Sequence, residues 1–376
     1  SGANAYLLHV TTTPSVSYVT RTDDFDCGIM ISASHNPFYD NGIKIISGKG
    51  HKIEAEVEEK IEAYIDGETD ELPLAKREDI GLTVDYAAGR NRYIGYLISL
   101  ATRSFKDMRV GLDCSNGSAF AIAKSVYDAL GAKTYVINCE PDGTNINKNC
   151  GSTHIEILQQ YVKEKKLDVG FAYDGDADRC IAVDENGGVV TGDEILYLSA
   201  DYLKSRGELA GNKVVCTAMS NGGLKNSLAK LGVDCVVCGV GDKAVCDAMT
   251  ASGAALGGER SGHVVFSKYE TTGDGLVTAI MVMESVVERK TTLSKLLRGY
   301  KALPQVACDV PVTDKRAAMV GVNELAVKLE GKLKLRIIAR ASGTESLIRL
   351  MAEGESEENC ALACKILAGK IIENCD

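Results

Sequence analysis

No stretch of this chain reaches the roughly 18–20 consecutive apolar residues that a membrane-spanning helix requires, and no secretory leader is expected. A membrane partner is therefore not expected. Positive charge is also in short supply: 42 Lys and Arg stand against 52 Asp and Glu, a formal net charge of −10. That balance offers no footprint for a phosphate backbone, so no nucleic-acid partner is expected. An anionic substrate has to be gripped by local Arg, Lys and backbone N–H groups. The G-x-x-x-x-G-K-[ST] pattern is missing, which removes a nucleotide P-loop. Cys235 and Cys238 form a C-x-x-C within the apolar run 233–240, but no second pair at matching spacing accompanies it. Core filling explains it better than zinc.

What is present is ordinary globular material. Apolar residues make up 45% and charged residues 25% of 376 positions, enough for two to four domains. Thirteen cysteines are many, yet their number is odd and they are scattered. Reduced, mostly buried thiols in a cytoplasmic protein are the expectation. Ala5–Val10 reads as a strand already under way with no initiator Met before it, so the natural sequence is expected to begin earlier.

Strand and helix patterns alternate through most of the chain. Polar or Pro-marked junctions suggest four domains: 1–103, 104–207, 208–304 and 305–376. The first three read as similar strand–helix units, and the last as a smaller α+β unit. Glu54–Ile65 reads as an acidic helix with Val57, Ile61 and Tyr64 on one face. Lys315–Leu329 reads as a single helix.

Four loops carry the chemistry. In 28–44, a buried-strand signal (Ile29, Met30, Ile31) stops at Ser32-Ala-Ser34-His35-Asn36-Pro37, and Asp40, Asn41 and Lys44 are read as part of the same loop. A hydroxyl at the C-terminal end of a strand lies where open α/β sheets bind ligands; an Asn/Pro/Gly turn is the plainer reading. Asp174-Gly-Asp176-Ala-Asp178-Arg179 sets three carboxylates at alternate positions, able to converge on one hard cation. An EF-hand is disfavoured, because Arg179 stands where the hand needs Gly. Gly257-Gly-Glu259-Arg-Ser261-Gly-His263 places a carboxylate, a hydroxyl and an imidazole on a Gly-rich turn suited to sugar hydroxyls. Arg340-Ala-Ser342-Gly343-Thr344-Glu-Ser346, with Arg349 beyond, has the makings of an anion nest. Two competing motifs are weaker. Ala218-Met-Ser220-Asn-Gly222 mimics a nucleophile elbow, with His263 downstream as base, and Gly239–Ala244 only approaches a dinucleotide fingerprint.

Taken together, in this order and across nearly the whole chain, the four loops resemble the phosphohexomutase superfamily, most closely its phosphoglucosamine mutase branch. Ser342-Gly343-Thr344, Asp40-Asn41-Gly42 and the stretch 141–154 favour that branch over phosphomannomutase/phosphoglucomutases. Ser346 and Arg260 depart from the usual pattern, and the family's opening segment, with its active-site Arg, does not occur. The resemblance implies an α/β protein: three similar mixed-sheet domains and a smaller C-terminal α+β domain around a central cleft.

It further implies an enzyme that interconverts glucosamine 6-phosphate and glucosamine 1-phosphate through a phosphoserine and a 1,6-bisphosphate. Ser34 would carry the phosphoryl group, with Mg2+ on Ser34, Asp174, Asp176 and Asp178. Lys44 would be the acid or base, helped by His263, and Arg179 would stabilise charge. His35, Asn36, Glu259 and Ser261 would bind substrate, while Arg340, Ser342, Gly343, Thr344 and Arg349 would hold the non-reacting phosphate. The partners implied are a hexosamine phosphate, a bisphosphate activator and, as the one protein partner left open, a second copy in a homodimer. The alternatives kept are a phosphomannomutase/phosphoglucomutase and an inactive sugar-phosphate binder.

Overall fold

The computed structural model describes residues 1–69, 72, 74–342 and 346–375, so Gly343 and Thr344 lie outside the described residues. The chain forms two compact units, one of residues 1–220 with 228–299, the other of 221–227 with 300–376.

In the first unit, a five-stranded sheet has the order Lys133–Ile137, Arg109–Asp113, Val169–Tyr173, Cys180–Asp184, Val189–Val190. Its first three strands run parallel, and the strands from Val169 onward pair antiparallel. Arg109–Asp113 and Val169–Tyr173 are near-continuous apolar runs because helices cover them, and Leu112, Phe171 and Tyr173 are fully buried. A four-stranded sheet follows with the order Asp234–Cys238, Lys213–Thr217, Leu256–Gly258, Val264–Phe266. The helix Gly275–Arg289 is buried along most of its length and starts on Asp274, whose carboxylate accepts from the Leu276 and Val277 N–H groups.

The N-terminal part differs from its sequence reading in three ways. Cys27–Ser32 pairs antiparallel with a second strand, Gly42–Ser47, which puts Lys44 on a strand opposite Met30 and not in a loop. Ile29 and Ile31 are 58% and 68% exposed, because this two-stranded ribbon leaves one face uncovered. Helix Ala55–Ile65 buries no residue, so its Val57–Ile61–Tyr64 face does not serve as a core face.

The second unit is a three-stranded antiparallel sheet, order Gln305–Pro311, Leu347–Glu353, Arg336–Ala341, packed against helices Val322–Leu333 and Glu357–Glu373. The single helix expected over 315–329 is two, Lys315–Ala318 and Val322–Leu333, separated at Gly321 with φ +70°. Glu353 is buried here, and its two oxygens accept from Gly222 N at 3.0 Å each, from Gln305 Nε2 at 2.5 Å, and pair with Arg336 Nε at 3.0 Å. Breaking a buried pair strands a charge, so Glu353→Ala should destabilise this unit by about 3 kcal/mol. An unchanged calorimetric transition for the unit would refute that.

Candidate active site

Ser34 is the second residue beyond its strand, and two features hold it there. Its N–H donates to Ser32 Oγ at 2.9 Å, and its backbone is left-handed at φ +51°. Its carbonyl accepts from the Gly175 N–H at 2.9 Å and from the Asn147 side chain at 2.8 Å. Gly175 is required for this approach, since a Cβ there would lie 2.5 Å from the Ser34 carbonyl oxygen. The result places the Ser34 hydroxyl 3.4 Å from Asp174 Oδ2.

Asp174, Asp176 and Asp178 converge as their alternation suggested. All three are buried, and one ligand atom from each lies within 4.8 Å of the others. Lys44 Nζ donates to Asp176 Oδ2 at 2.6 Å and to Asp178 Oδ2 at 2.8 Å. Thr13 adds a hydroxyl bond to Asp176 Oδ2 and a backbone bond to its carbonyl. Arg179 Nε stands 3.9 Å from Asp174 and 3.8 Å from Asp178.

Three buried carboxylates thus face two cations, and the electrostatics show the deficit. Burial, with Asp178 and Asp176 alongside, pushes Asp174 well above the usual carboxylate range. For Asp178 burial acts the same way, but the nearby His263 imidazole and the Lys44 ammonium outweigh it and hold the group well below that range. Burial opposes the charge on Lys44, yet Asp178 and Asp176 raise its pKa. Lys44 is therefore a locked cation, placed to stabilise negative charge and poorly fit, while both carboxylates hold it, to give up or take a proton. Asp176 Oδ1 and Asp178 Oδ1 are buried without a hydrogen-bond partner. Oxygens of that kind, crowded and under-neutralised, fit a hard divalent cation.

The Glu259 loop docks on the same centre. It links Leu256–Gly258 to Val264–Phe266, and the Gly262 carbonyl accepts from the Cys180 N–H at 3.0 Å. His263 is 2% exposed, its Nε2 accepts from the Gly273 N–H at 3.2 Å, and its Nδ1 lies 3.8 Å from Asp178 Oδ1. That burial makes it a support for Asp178, not a solvent-facing acid. Glu259 Oε1 accepts from the Gly241 N–H at 3.0 Å, while Ser261 is exposed. His35 is exposed and Asn36 half-buried beside Ser34; burial and then Arg179 lower the His35 pKa.

In the second unit, Arg340 and Arg349 are direct cross-strand partners and both are exposed. Like charges set opposite each other repel, so this pairing suits an anion between them. Ser342 is buried, its N–H donating to the Leu347 carbonyl and its own carbonyl accepting from Lys315 Nζ at 2.7 Å.

Sequence reasoning passed over Thr13, Asn147 and Lys315. Thr followed by Pro is a helix-start signal, and Thr12 caps the helix Thr13–Thr22. Nothing local marks Asn147 or Lys315.

Comparison with known proteins covers the chain in four pieces. Residues 1–72, 91–188 and 191–303 match the phosphoglucomutase/phosphomannomutase alpha/beta/alpha domains I, II and III, and 304–368 match its C-terminal domain. The chain is 58% identical over 369 residues to a protein of Lachnospira eligens named phosphoglucosamine mutase, covering 96% of this chain and 81% of that one. It is 43% identical over 363 residues to a Bacillus subtilis protein of the same name, with 96% and 81% covered. A Burkholderia thailandensis phosphoglucomutase/phosphomannomutase family structure superposes with TM-score 0.80 at 22% identity, covering 99% of this chain and 83% of that chain. An Aspergillus fumigatus N-acetylphosphoglucosamine mutase, solved with GlcNAc-6P and magnesium, gives TM-score 0.74 at 19% identity, with 98% and 94% covered.

Proposed function

This chain belongs to the phosphoglucomutase/phosphomannomutase family, and from that premise we propose that it is a phosphoglucosamine mutase carrying the travelling phosphate on Ser34. The observation that carries the reading is the Ser34 hydroxyl set 3.4 Å from one of three convergent, buried carboxylates.

Asp174, Asp176 and Asp178, with the phosphoryl group on Ser34, would hold Mg2+, as the unpartnered carboxylate oxygens suit. When bound, the ion neutralises charge on the phosphoryl oxygens. The chain's own residues do the rest. Glucosamine 6-phosphate takes the phosphoryl group from Ser34, and the 1,6-bisphosphate returns its other phosphate to Ser34 and leaves as glucosamine 1-phosphate. Lys44 and Arg179 balance the charge that builds during transfer. His263 keeps Asp178 ionised and oriented. His35, Asn36, Glu259 and Ser261 contact the sugar, and Arg340, Ser342, Gly343, Thr344 and Arg349 grip the phosphate not being transferred. A trace of bisphosphate primes the cycle by phosphorylating Ser34. Residues 1–103, 104–207, 208–304 and 305–376 are the four modules in this reading. Among the described residues no helix is long and apolar enough to cross a membrane; free thiols throughout suit the cytoplasm.

Rates on glucosamine, glucose and mannose 6-phosphates with trace bisphosphate test the substrate assignment. Glucosamine 6-phosphate should give the highest kcat/KM, and a faster rate on either other sugar would overturn it. Chelation should abolish turnover. Adding back Mg2+ at about 100 times its Kd should stabilise the fold by about 2.7 kcal/mol, read as a raised Tm. A Tm indifferent to Mg2+ would speak against the site.

A further inference from the structure

The loop that carries Ser34 spans nine residues, 33–41, between the paired residues Ser32 and Gly42, and most of its side chains are exposed. Such a loop is a poor platform for a nucleophile unless something outside it fixes the backbone. Gly175 fixes one carbonyl through its N–H. Asn147 fixes two. One side-chain amide, from a loop 111 to 113 residues away, donates to the carbonyls of Ser34 and Asn36 at 2.8 Å each. Both partners are acceptors, so the NH2 group must be the end that faces them.

Asn147 is itself held for the task. It is 7% exposed, its N–H donates to the Ser115 carbonyl at 2.9 Å, and its backbone is left-handed at φ +58°. Asn tolerates that conformation better than most residues. Ser34 is left-handed too, and its conformation decides which way Oγ points. We infer that Asn147 is a positioning residue for phosphoryl transfer: its amide clamps the carbonyls on either side of His35 and so aims the Ser34 hydroxyl at Asp174. The catalytic consequence rests on the mutase reading; the clamp itself does not.

Two variants separate the clamp from backbone strain. Asn147→Gly keeps a residue at ease with positive φ and removes only the amide. Asn147→Asp keeps size and shape but turns a donor towards two carbonyls into an acceptor. For Asn147→Gly, kcat should fall about 100-fold, while KM for glucosamine 6-phosphate stays within about threefold and the Tm holds. Asn147→Asp should lose at least as much. Hydrogen exchange in 33–41 should quicken by about tenfold or more in both variants and remain unchanged in the sheet around Val169–Tyr173. Unaltered exchange in 33–41 would overturn the inference, as would kcat of Asn147→Gly within threefold of the unsubstituted chain. If the unsubstituted chain turned over no hexose phosphate while the exchange effect appeared, the mutase reading would fail and the clamp would stand.

Discussion

Replacing Ser34 with alanine should stop mutase turnover, lowering kcat by on the order of 10⁴-fold or more, while the fold persists. The reasoning is structural on both counts. The Ser34 hydroxyl's hydrogen bond to Asp174 is long, at 3.4 Å, so its removal strands no donor or acceptor that the fold relies on. The backbone bonds from Gly175 and Asn147 to the residue 34 carbonyl survive the change. Stability should therefore move by no more than about 0.5 kcal/mol. A Ser34→Ala protein that kept turnover within tenfold would show that the phosphate travels elsewhere.

Lys44→Met should produce the largest loss of stability among single changes at the site, and one that depends on Mg2+. Lys44 binds two buried carboxylates at 2.6 and 2.8 Å. Without its ammonium, Asp178 keeps Arg179 and the imidazole of His263 only at 3.8 Å each, and Asp176 keeps the neutral Thr13 hydroxyl. Removing one partner of a buried ion pair costs about 3–5 kcal/mol. Saturating Mg2+ should return much of that by supplying charge at the same two carboxylates. Activity should stay depressed by about 100-fold even then, because the fixed cation proposed to balance charge during transfer is gone. Denaturant unfolding with and without Mg2+ reads the first effect, and a mutase assay the second. Equal destabilisation under both conditions would remove Lys44 from the metal site.

The chemistry-bearing loops were legible in the sequence because each couples unusual residue types at fixed short spacing. Asp174, Asp176 and Asp178 could be grouped without knowing the fold, since alternation alone brings carboxylates into reach of one ion. The scaffolding was harder to read. Lys44 looked like loop because Asp40, Asn41 and Gly42 precede it, and its true place emerges only when Gly42–Ser47 pairs with Cys27–Ser32. Ile29 and Ile31 signalled burial, but pairing on one side alone leaves that face open. The helix Ala55–Ile65 has the right period yet packs nothing under it. Gly321 was a stop signal inside an otherwise helical stretch, and the left-handed turn there splits it in two. Asn147, Thr13 and Lys315 act across long sequence separations, and a single sequence has no signal for such contacts. The buried state of His263 was equally invisible, for it depends on Gly273 and Asp178 closing over the ring.

The central claim is that one hydroxyl from the first part of the chain and three carboxylates from the second serve a single phosphoryl group. Incubation with glucosamine 1,6-bisphosphate and Mg2+, followed by mass spectrometry of the digested protein, puts this to the test. The mass of one phosphoryl group should appear on the peptide containing Ser34, map to that residue, require Mg2+, and disappear when glucosamine 6-phosphate is added. Phosphate on another residue, or none that glucosamine 6-phosphate can discharge, would contradict the account.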